Sequence, residues 1–76
     1  MEYPAVTQRE RNIDKLYKLI KEKKDKYSIT QILALFSFMT GISSFTVYDY
    51  FAVLRDSGMI TIDKSTNKVV SMVNLD

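Results

Sequence analysis

The chain has no cysteine and no histidine. Disulfides are thereby excluded, along with the thiolate and imidazole ligands that build a structural zinc site. No metal site and no other cofactor is expected. The commonest general base and the strongest side-chain nucleophile are missing too, so catalysis is not expected. Two glycines, Gly41 and Gly58, are too few for a phosphate-cradling loop. Pro4 is the single proline. Long apolar runs are also lacking: Ile29 to Ile42 is broken by Thr30, Gln31, Ser37 and Thr40, and it is too short to span a bilayer. Met1 to Gln8 has neither the basic start nor the apolar stretch of a signal peptide. The expectation is a soluble cytoplasmic protein, with no membrane partner, that gains stability from packing or from a partner subunit.

What is present fits one small domain spanning residues 1–76. Hydrophobic residues make up 46% of the 76, enough for a core, and charged residues 26%. The net charge is only +2, but it is unevenly placed. Eight of the eleven basic residues lie between Arg9 and Lys26, among four acids, so that stretch alone carries +4. A basic end on a near-neutral body is either a solvated helix face or an electrostatic footprint for nucleic acid.

Periodicity divides the chain into ordered elements. Residues 1–6 form an arm in which Pro4 forbids helix. Thr7, with Glu10 three residues on, spells a capping box. From 8 to 24, Ile13, Leu16, Tyr17 and Ile20 repeat at i, i+3, i+4, i+7, one stripe of an amphipathic helix. Tyr27-Ser28-Ile29 suits a one-rung strand. Thr30 can cap a second helix, over 30–40, whose inward stripe is Ile32, Leu33, Phe36 and Met39. Gly41 suits a left-handed helix end. Ile42 then points inward, and Ser43 caps a third helix over 43–57, with Val47, Phe51 and Leu54 facing the core and Gly58 stopping it. After Gly58 the residues turn β-favouring, Met59 to Ile62 and Val69 to Val73. The polar stretch 63–68 between them reads as the turn of a hairpin over 59–73.

In its segment Ile29 to Ile62 the chain resembles winged helix-turn-helix regulators of the MarR and ArsR groups and small archaeal or viral regulators. The resemblance is carried by the helix Thr30 to Met39, the turn Gly41-Ile42-Ser43, and the opening Ser44-Phe45-Thr46-Val47 of the next helix. Leu54 and the exit Ser57-Gly58-Met59-Ile60 extend it, and residues 8–24 match the family's first helix. It implies an α+β fold of three helices and a C-terminal wing. It also implies binding of double-stranded DNA in transcription regulation, with helix 43–57 in the major groove. On that helix Ser44, Phe45, Thr46, Tyr48, Asp49 and Ala52 point outward. Hydroxyls suit bases or phosphates, Phe45 a thymine methyl, and Tyr48 a phosphate. The amides at Thr30-Gln31 and Ser43-Ser44 suit phosphate oxygens. Lys64, Ser65, Thr66, Asn67 and Lys68 form a wing tip for the backbone or minor groove. The chain departs from the family in carrying no cation on helix 43–57 before Arg55. It also has Asp49 on the face where phosphates approach. Such an acidic, aromatic face equally suits a winged-helix module that docks a protein partner.

Leu35 and Phe38 flank the inward stripe of the second helix, and so small a core is not expected to cover both. Large exposed apolar groups mark interfaces. Either the arm folds over them through Tyr3 and Val6, or, as the resemblance to dimeric regulators implies, a homodimer forms through Tyr3, Val6, Leu35 and Phe38; the homodimer is the expectation.

Overall fold

The computed structural model describes residues 7–73. Three helices, α1 (Gln8–Lys23), α2 (Ile29–Thr40) and α3 (Ser44–Asp56), precede two strands, β1 (Ile60–Asp63) and β2 (Lys68–Met72). The strands pair antiparallel, Ile60 opposite Met72 and Asp63 opposite Lys68, with an irregularity between Thr61 and Ile62. This is the α+β winged helix-turn-helix arrangement, the hairpin forming a C-terminal wing. The arm, with Tyr3 and Val6, lies outside the described residues.

Local chemistry sets each boundary. Thr7 caps α1 through the expected box: its hydroxyl accepts from the Glu10 amide, and Glu10 accepts from the Thr7 amide at 2.9 Å. The start of α2 corrects two expectations. Ser28, not Thr30, is the N-cap, and residues 27–29 form no strand. Ser28 Oγ accepts from the Gln31 amide at 3.3 Å while Gln31 Oε1 accepts from the Ser28 amide at 3.0 Å. This second box satisfies two amides that a cap at Thr30 would strand. The single backbone bond expected of a rung does exist, but the Ile29 amide makes it, donating to Asn67 O at 2.8 Å.

Gly41 ends α2 at φ +76, the left-handed region that a side chain occupies at a cost. The turn is braced by its neighbours: Ser37 Oγ donates to Ile42 O at 2.6 Å and Thr40 Oγ1 to Phe36 O at 2.7 Å. Ser43 caps α3 as expected, accepting from the Thr46 amide. At its far end Met59 N reaches back to Leu54 O at 2.9 Å, with Gly58 at φ +84 making the reversal.

The core lies where the three helices meet. Leu16, Ile20, Ile32 and Val47 are fully buried, with Phe36, Phe51, Leu54 and Ile60 closing around them. Leu19 and Tyr50 join the core as well. Met39 does not: it is 62% exposed, because the chain leaves α2 at Gly41 before another element covers the last turn. Ile42 is half-buried against the cluster, as its inward placement requires. Tyr17 donates its hydroxyl to Val73 O, and the Val73 amide donates to Met59 O, so the returning strand is tied to both α1 and the start of the wing.

Candidate nucleic-acid interface

The outer face of α3 is organised by the residues beneath it. Burying Val47, Tyr50, Phe51 and Leu54 turns Ser44, Phe45, Tyr48 and Asp49 outward. Phe45 is 86% exposed and Tyr48 55%. Thr46 and Ala52 are only half-buried rather than fully outward. Ser43 and Thr46 are engaged with each other, Ser43 Oγ donating to Thr46 Oγ1 at 3.1 Å, so their first role is to cap the helix.

On one flank of this face the wing folds against α2. Asn67 adopts φ +59 and donates from Nδ2 to Thr30 Oγ1 at 2.6 Å. Together with the Ile29–Asn67 backbone bond, this clamps the wing to the start of α2. A cleft of about 270 Å³ results, into which Thr30, Tyr48, Lys64 and Asn67 converge together with Arg55. A smaller recess beside it joins Thr30 and Tyr48 to Ser44. Five of the expected residues, Thr30, Ser44, Tyr48, Lys64 and Asn67, are thus brought into one contiguous region. Arg55 belongs with them; its i+7 spacing from Tyr48 is the signal that places it on that face. Its guanidinium lies 5.6 Å over the Phe51 ring and donates through Nε to Asp56 at 2.9 Å. That hydrogen bond and the Asp56 charge raise its pKa above the ordinary value.

Other expected residues fall elsewhere. Gln31 spends its carbonyl on the Ser28 box and lines a separate groove with Tyr27, Ala34, Leu35 and Phe38. The amides of Ile29 and Gln31 are taken, so the α2 end offers fewer free donors than its sequence suggests. Ser65 lies in the wing turn, where its amide and hydroxyl both donate to Asp63 Oδ1, at 3.0 and 2.8 Å. Those bonds lower the Asp63 pKa below the ordinary carboxylate value. Thr66 and Lys68 are exposed. Phe38 is 86% exposed, whereas Leu35 is partly buried against the core.

Asp49 lies on the opposite flank, and it is not the open carboxylate that the sequence suggests. Arg9 of α1 donates to it from Nη1 at 3.0 Å. No sequence signal links these residues, which are forty positions apart. No family model, curated protein or solved structure matches this chain. Its fold is therefore identified from its own element order and strand pairing. Among the described residues, no helix is long and apolar enough to cross a membrane.

Proposed function

We propose that this chain binds double-stranded DNA as a transcriptional regulator in the cytoplasm, as the MarR-like and ArsR-like resemblance implies. The observation that carries the reading is the convergence of Thr30, Ser44, Tyr48, Arg55, Lys64 and Asn67 along one edge of the exposed α3 face. Two hydroxyl-bearing side chains, one phenol, two cations and an amide are a donor set for phosphate and base edges. The projecting helix beside them has the dimensions of the major groove. A second copy of the chain, meeting the first through the Phe38 face, would present two such helices to successive grooves.

The test is titration of labelled mixed-sequence duplex at two salt concentrations. Retention that falls steeply with salt, and weakens in Ser44→Ala and Tyr48→Ala, is the expected result. A second reading, a protein-docking winged helix, is favoured by the 86% exposure of Phe45. Under that reading no duplex is retained at low salt, and Tyr48→Ala instead abolishes capture of a protein partner.

A further inference from the structure

We infer that Arg9, on the first turn of α1, is a second phosphate clamp on the α3 face, opposite the wing, and that Asp49 and Tyr50 are its positioning residues. The inference rests on the duplex-binding reading and deepens it. An uncovered Asp49 on that face would repel each approaching phosphate. Arg9 answers the charge directly: Nη1 meets Asp49 Oδ2 at 3.0 Å. Its guanidinium also lies 5.5 Å over the Tyr50 ring. Tyr50 is itself a fixed platform, 7% exposed, and its hydroxyl accepts from Asn12 Nδ2 at 3.5 Å. One edge of the fork is therefore held by the carboxylate and one face by the ring.

Among the described residues, nothing engages the rest of the guanidinium. It carries five N–H donors, and among the described residues only the Nη1 bond to Asp49 engages them. The side chain is 50% exposed. A planar fork whose orientation is already fixed loses less entropy on meeting a phosphate than a free lysine does. The position fits the task. Asp49 follows Phe45 by one helical turn, so Arg9 borders the same outward stripe that Tyr48, Arg55 and Lys64 border on the wing side. The recognition surface is thereby flanked by cations on both edges, and the acid that breaks the family pattern becomes the anchor of one of them.

Salt dependence separates this role from a structural one. Log affinity for mixed-sequence duplex is measured against log salt for wild type, Arg9→Ala, Arg9→Lys, Asp49→Asn and the Arg9→Ala/Asp49→Asn pair, with melting and helical signal alongside. Arg9→Ala should flatten the slope by about 0.9, so that the affinity lost across a fourfold rise in salt shrinks by about 3.5-fold. Arg9→Lys should restore the slope but not the full affinity. Asp49→Asn should strengthen binding in the Arg9→Ala background, where the carboxylate is uncovered, but not in wild type, where it also releases the anchored guanidinium. An unchanged slope in Arg9→Ala, with wild type still binding, overturns the clamp alone. Wild type that retains no duplex at low salt overturns both the clamp and the duplex-binding reading.

Discussion

Asp63 shows how a single side chain sets the wing. Its carboxylate accepts from the Ser65 amide and hydroxyl, and its own carbonyl accepts from the Asn67 amide at 2.7 Å. The lowered pKa means that the folded chain holds the ionised form more tightly than the unfolded chain does. The stabilisation is therefore fully present above the unfolded aspartate value, about 3.9, and is withdrawn as pH falls through the lower folded one. Melting Asp63→Asn beside wild type should show a gap near neutral pH that closes as the pH drops below that value. A gap of equal size at both ends would mean that the turn does not depend on the charge. The sequence announces this turn by composition, a run of six polar residues, but the Asp63–Ser65 bonds and the left-handed Asn67 emerge only once the strand register is fixed. The same holds for Asp49. Spacing on a helix places it outward, and only the packing of α1 against α3 brings it Arg9.

Elements were legible in proportion to how local their signals are. The Thr7–Glu10 box and the stripe of α1 both lie within one or two turns, and both are present. The Ser28–Gln31 box is equally local; its β-favouring neighbours Tyr27 and Ile29 disguise it as strand. Met39 and Leu19 depart from the expected stripes for a tertiary reason, since burial depends on which helix arrives opposite each turn. The wing is the element whose docking no periodicity reveals. Its tip is fastened to α2 through Asn67, so Lys64 is held at the mouth of the cleft beside Tyr48 and Arg55. Lys68 opens β2 on the exposed side. If the wing grips phosphates, Lys64→Ala with Lys68→Ala should weaken binding to all duplexes alike. The pair should flatten the salt slope by up to about 2, roughly 0.9 for each lost contact. A slope equal to wild type would remove the wing from the binding surface.

At the scale of the whole molecule, Phe38 on α2, like Phe45 on α3, has nothing to cover it within the described residues. Phe38 is 86% exposed beside a groove of about 410 Å³ lined by Tyr27, Gln31, Ala34 and Leu35. It lies two turns along α2 from the clamped wing. In a two-fold dimer the same patch meets itself, and each ring is buried once per protomer. Full burial of a phenylalanine contributes about 1.5–3 kcal/mol, so the two rings together shift the dissociation constant by roughly two to four decades. If the proposed dimer forms through this face, light scattering should give the dimer mass for wild type and the monomer mass for Phe38→Asp. Because the side chain is exposed within the protomer, the helical signal and the melting transition of the separated chain should persist. Duplex binding should weaken in parallel, since one recognition helix then has no second half-site to share. Wild type that scatters as a monomer at high micromolar concentration would falsify the homodimer, and Phe38 would then be free for a different partner.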